Sequence, residues 1–196
     1  MVAVILAGGE NKRFPVNKCL LKIDGRRVIE RNIELLSKYF KRIIISTNNP
    51  ELYFRYRLQL VGDVLNIRGP MTGIYSVLNL PDVSSVFVFA CDMPFINGYL
   101  VKYMLDRWSE EYDVMVPVFN GVPQPLHGIY SKTIAESMEM CLKTCERSLC
   151  RFIMDKKVYY INEEVVKSID LDGKAFININ TLEDYEKGIG GKICLV

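Results

Sequence analysis

The sequence predicts a three-layer α/β fold, with a mostly parallel central sheet between helices on both faces. Strand-like and helix-like stretches alternate along the chain, the pattern of crossover-connected parallel strands. Two runs, Ile43-Ile44-Ile45 and Ser85 to Ala90 (SVFVFA), are continuously apolar, as strands covered on both faces require. With 196 residues, 49% of them hydrophobic, the chain can bury one sizeable core, so a single domain over 1–196 is expected.

In order, Val2 to Leu6 reads as the first buried strand, and it breaks into Gly8 and Gly9 ahead of Lys12, Arg13 and Lys18. Val28 to Phe40 carries apolar residues at helical spacing, and Lys41 to Thr47 forms the second strand before Asn48, Asn49 and Pro50 end it. A helix is expected over 51–60 and a short strand over 63–67. Gly69-Pro70-Met71-Thr72-Gly73 then leads into a helix over 74–80. Ser85 to Ala90 is the clearest strand, followed by Cys91-Asp92-Met93-Pro94 and a helix over 96–108. Asp113 to Phe119 is a strand, Asn120-Gly121 a hairpin turn, and Gln124 to Tyr130 its returning partner. Helices over 131–143 and 148–155, a strand over 158–161, a last strand over 175–181 and a closing helix capped by Thr181 complete the chain.

Lys and Arg number 25 against 23 for Asp and Glu, so a net charge of +2 points to neither a nucleic-acid binder nor a basic membrane patch. No apolar run approaches the ~20 residues of a membrane span, and the start lacks a charged segment followed by an apolar signal core. A cytoplasmic protein is expected. The six cysteines form no Cys-x-x-Cys pair and His127 is the only histidine, which favours structural thiols in a reducing compartment over a zinc or redox site. His127 as a general base is less favoured than His127 as a packed strand residue.

The chemistry concentrates at two places. Glycines let backbone N–H groups turn toward an oxyanion, and fixed positive side chains add to that field, so the stretch from Gly8 to Lys18 suits a triphosphate. It lacks the spacing of a P-loop or a dinucleotide fingerprint, and an ordinary Gly-Gly turn is the alternative. Asp92 stands at the carboxyl end of a buried parallel strand, where open α/β sheets gather ligands, and one such carboxylate with phosphate oxygens suffices for Mg²⁺. Its alternative is a cap for the following helix.

Leu6-Ala7-Gly8-Gly9, Arg13 and Lys18 with Leu20 and Leu21 resemble the Leu-Ala-Gly-Gly…Arg…Lys opening of the molybdenum cofactor nucleotidyltransferases, most closely the guanylyltransferase branch. Phe14-Pro15 and Asn17 depart from that pattern. Gly69 to Gly73, Cys91-Asp92-Met93-Pro94-Phe95-Ile96 and Phe176-Ile177-Asn178-Ile179-Asn180-Thr181 resemble three further motifs of the same family, in order and across nearly the whole chain. The resemblance implies a Rossmann-like nucleotidyltransferase fold with a nucleotide-binding half (1–95), an acceptor-binding half (96–196) and a small antiparallel hairpin on the acceptor side. It implies GTP and molybdenum-molybdopterin as substrates, with Mg²⁺ as cofactor. Arg13, Lys18 and Asp92 would be catalytic, with Asp92 the metal ligand. Leu6, Ala7, Gly8, Gly9, Asn48, Asp63, Gly69, Pro70 and Gly73 would complete the GTP site, and Gln124, Asn178 and Asn180 would meet the acceptor. For Asn178 and Asn180, two amides on one strand face, a magnesium shell, a pterin edge and a merely wet face all remain open. Transient contact with proteins that insert or accept the cofactor, and a monomer or weak homo-oligomer, also follow from the resemblance. A cytidylyltransferase acting on molybdopterin or on a sugar or polyol phosphate, and a nucleotide-binding protein without activity, are the alternatives.

Overall fold

A computed structural model describes residues 1–8, 17–144 and 148–179. The strands are β1 (Val2–Leu6), β2 (Lys22–Ile23), β3 (Arg26–Arg27), β4 (Ile43–Ser46), β5 (Gln59–Val61), β6 (Ser85–Ala90), β7 (Val114–Phe119), β8 (Val122–Pro123), β9 (His127–Ser131) and β10 (Val158–Ile161). The helices are α1 (Val28–Leu36), α2 (Pro70–Leu78), α3 (Gly98–Arg107), α4 (Ala135–Lys143), α5 (Leu149–Ile153) and α6 (Glu163–Ile169). The main sheet runs β10-β7-β9-β6-β1-β4-β5, with β8 paired to β7 alone. β1 pairs in parallel with β4 and β6, β4 with β5, and β7 with β10, whereas β9 runs antiparallel to both its neighbours. The sheet is therefore mostly parallel, as the two continuous apolar runs predict.

Side chains of successive strand residues point to opposite faces, and two cores result. Ala3, Ile5, Ile43, Ile45, Phe87 and Phe89 pack with Ile29, Leu36, Leu100, Met104 and Val166 from α1, α3 and α6. On the other face Val2, Val4, Ile44, Val86 and Val88 meet Ile74, Val77, Met138, Leu142 and Phe152 from α2, α4 and α5. No described helix is long and apolar enough to cross a membrane.

Four expectations need correction. The segment over 51–60 is not a helix: two 3-10 turns, Pro50–Leu52 and Phe54–Tyr56, end at Arg57 with φ 54°, because the chain turns to send the Tyr53 ring fully into the core. The third strand is accordingly Gln59–Val61, paired with β4, and not 63–67. The returning arm of the Asn120-Gly121 hairpin is split. β8 takes the hairpin pairing (Val118 with Pro123, Phe119 with Val122), and β9 begins at His127, wedged between β6 and β7. Over its described part, 175–179, the expected last strand is absent. Gly173, with φ 62°, starts a 3-10 turn at Lys174–Phe176 that Ile177 N–H closes onto Lys174 O at 3.2 Å, after which Ile179 N–H bonds Asp92 O at 3.0 Å. The expected closing helix and Thr181 lie outside the described residues.

Two elements went unpredicted. The β2–β3 hairpin turns on Asp24 and Gly25, both with positive φ (51° and 79°), as a two-residue hairpin turn requires. α6 starts at Asn162, whose side chain accepts from Val165 N–H at 3.0 Å, with Glu163 and Glu164 in its first turn.

Candidate active site

The cleft lies outside the carboxyl ends of β1, β4 and β6, and it encloses about 1020 Å³. Leu6, Ala7 and Gly8 continue β1 into its floor, with Asn17 and Lys18 re-entering beside them. Asn48 and Asp63 form one wall, and Gly69, Pro70 and Gly73 from the start of α2 another. Asp92 closes the side below β6. Every described residue expected at the nucleotide thus lines a single cleft. Gly9 and Arg13 lie outside the described residues.

Local chemistry fixes each group. Asn17 caps the 3-10 turn Lys18–Leu20 by accepting from Cys19 N–H at 3.0 Å, and the turn aims Lys18 at Asp92, Nζ to Oδ2 3.6 Å. The two side chains retain 21% and 29% of their exposure, so both are open to a ligand. Burial pushes the Asp92 carboxyl above its usual range, and the Lys18 ammonium draws it part of the way back. The alternative in which Asp92 caps the next helix fails: Asn97 caps α3, accepting from Tyr99 and Leu100 N–H at 2.9 and 3.3 Å. Asn48 and Asp63 hold each other, Asn48 donating from Nδ2 to Asp63 Oδ2 at 2.7 Å and accepting from Asp63 N–H at 2.8 Å. Burial raises the Asp63 pKa against the lowering effect of that amide. α2 begins with Gly69, whose φ of 146° suits glycine, and with Pro70 at its first helical position, where the missing N–H costs nothing.

The acceptor residues are less gathered. Gln124 is not a cleft residue: its Nε2 donates to Val122 O at 3.1 Å within the hairpin, and Leu126, two residues on, reaches the cleft instead. Asn178 sits next to Ile179, whose backbone bonds Asp92, and its buried Oδ1 has no hydrogen-bond partner among the described residues. Asn180 lies outside them. His127 is fully buried, its ring edge-on to Phe87, Phe89 and Phe176, and burial lowers its pKa to about 3. It is a core histidine. Among the described residues no group of three or more His, Cys, Asp or Glu side chains is placed to hold a metal.

Sequence reasoning missed several contributors. Arg68 lines the cleft directly before Gly69, a signal that was legible, and buried Ser46 and Thr47 end β4 within it. Cys19 and Cys91 are buried free thiols beside Lys18 and Asp92, and nothing in their spacing announced that they adjoin.

Residues 3–158 match the model of the MobA-like NTP transferase domain. The chain belongs to the MobA-like NTP transferase family. Among curated members, a probable molybdenum cofactor guanylyltransferase of Clostridium perfringens (strain SM101 / Type A) is 38% identical over 187 residues, spanning 94% of this chain and 93% of the relative. The molybdenum cofactor guanylyltransferase of Syntrophotalea carbinolica is 32% identical over 186 residues, spanning 94% and 89%. The crystal structure of molybdopterin-guanine dinucleotide biosynthesis protein A from Archaeoglobus fulgidus superposes with a TM-score of 0.85 over 97% of each chain at 23% identity, a likeness of fold. The expected α/β nucleotidyltransferase architecture is thereby established.

Proposed function

We propose that this family member transfers GMP from GTP to the terminal phosphate of molybdenum-molybdopterin, giving the guanine dinucleotide form of the cofactor and pyrophosphate. The observation that carries the reading is the convergence of Lys18 and Asp92 at 3.6 Å in a cleft whose walls hold the remaining described nucleotide residues. The names of the curated relatives supply the substrates.

Asp92 offers a partly open carboxylate, a hard oxygen donor that burial leaves short of solvent, and so fits a Mg²⁺ ion shared with phosphate oxygens. When bound, that ion would neutralise charge on the phosphates. Lys18 supplies a second positive charge where the α-phosphate and the departing pyrophosphate gather negative charge, and Arg13 adds a third. Backbone N–H groups around Gly8 and Gly9 hold the triphosphate. The Asn48–Asp63 pair presents acceptors to guanine or ribose, and Asn178 and Asn180 meet the acceptor. In the transfer, an oxygen of the molybdopterin phosphate bonds to Pα as the bond from Pα to the bridging oxygen breaks. The attacking phosphate is already an anion, so no protein base is needed, in keeping with a buried, neutral His127. Catalysis is then positioning and charge stabilisation.

Calorimetric binding of GTP, CTP and ATP with Mg²⁺ tests the base assignment. GTP tens of times tighter than the others is expected. Tighter CTP binding would move the reaction to cytidylyl transfer, and absence of nucleotide binding would leave the glycine stretch an ordinary turn.

A further inference from the structure

Tyr53 has no part in the nucleotide site as read from the sequence, yet its hydroxyl meets both ends of the chain that enters and leaves it. The side chain is fully buried, whereas its neighbour Phe54 is 65% exposed. The Tyr53 hydroxyl donates to Ala7 O at 3.3 Å and accepts from Asn17 Nδ2 at 3.1 Å. A phenol has one proton to give and lone pairs to receive, so the two bonds use it in both senses. Burial pushes its pKa far up, so the proton stays in place.

The two partners are not interchangeable surface groups. Ala7 is the first residue beyond β1, and its own N–H donates to Ser46 O at 2.9 Å, which fixes it to the end of β4. Asn17 spends its other amide end on Cys19 N–H at 3.0 Å, while its carbonyl accepts from Leu20 N–H at 2.9 Å, and these bonds define the turn that aims Lys18 at Asp92. A phenylalanine would fill the same core space. A buried hydroxyl is costly unless bonded, and this one is bonded to Ala7 and Asn17, the residues that flank the cleft's first strand and the turn carrying Lys18.

We infer that Tyr53 is a positioning residue for the transfer reaction, tying Ala7 to Asn17 and through Asn17 setting the turn that carries Lys18. The inference deepens the proposed function and rests on it for the catalytic consequence, though not for the tie itself.

Tyr53→Phe keeps the ring and removes both bonds. Amide hydrogen exchange at Cys19 and Leu20 is expected to quicken about tenfold, and kcat to fall by about tenfold with KM for GTP changed far less. Asn17→Ser keeps a capping oxygen but is too short to reach Tyr53, so it should reproduce both effects. The double variant should be little worse than either single one. Ile153→Val, in α5 on the opposite face of the sheet, lowers stability through a small cavity and should change neither readout. Unchanged exchange at Cys19 and Leu20 in Tyr53→Phe, or the same kcat loss in Ile153→Val, would overturn the inference. If the wild-type protein proved inactive toward GTP, the functional reading would fail, while the exchange measurement would still decide the tie.

Discussion

Lys18 and Asp92 stand at opposite charge, 3.6 Å apart and partly open to the cleft, and two substitutions separate their roles. Asp92→Ala is expected to fold and to lose transfer at any practical Mg²⁺ concentration; near-normal turnover would remove Asp92 from the mechanism. Lys18→Ala should lose on the order of 3 kcal/mol of transition-state stabilisation, read as a fall in kcat, whereas a change confined to GTP affinity would make Lys18 a binding residue alone. His127 gives a prediction about stability. Its folded pKa of about 3 lies below the 6.5 of the exposed side chain. Between these values the unfolded chain binds a proton that the folded protein refuses, so stability present above pH 6.5 is lost as pH falls. At pH 5 the loss is about 2 kcal/mol, and His127→Phe, matching the phenylalanines around it, should flatten the acid limb of a denaturation series. At this scale the sequence made Lys18 and Asp92 legible because each belongs to a local motif. Tyr53 was not legible: its partners are 46 and 36 residues away, and an aromatic beside other aromatics signals only a core.

The strands with continuous apolar runs were legible as elements because a parallel strand buried on both faces has no other composition. The stretch over 51–60 was misread as a helix, because buried Tyr53 and partly buried Tyr56, three residues apart with exposed Phe54 between them, suit one face of a helix as well as they suit the two 3-10 turns. The final segment was misread as a strand from its alternation, which the turn at Gly173 overrides. α2 supplies a prediction. A Cβ on Gly73 would stand 2.7 Å from Ser46 Oγ and 3.0 Å from Leu6 Cδ2, so Gly73 lets α2 approach β4 and β1 at the cleft wall. Helix propensity alone favours alanine there by about 1 kcal/mol. The contact should outweigh it, and Gly73→Ala is expected to lower both Tm and GTP affinity. A raised Tm with unchanged affinity would show that Ser46 gives way freely.

For the molecule as a whole, fold and family were legible because four separated motifs occur in order along one chain. The acceptor side was less so. Gln124 is turned into its own hairpin, and Asn178 is placed by a segment whose tie to Asp92 O no local pattern announces. The central claim is transfer itself, and the most direct measurement is pyrophosphate release by the purified protein given Mg²⁺, GTP and molybdenum-molybdopterin, with the dinucleotide product identified by mass. The account predicts release that needs all three components, is faster with GTP than with CTP, and disappears in Asp92→Ala. Release without the molybdopterin, or equal release from Asp92→Ala, would contradict it.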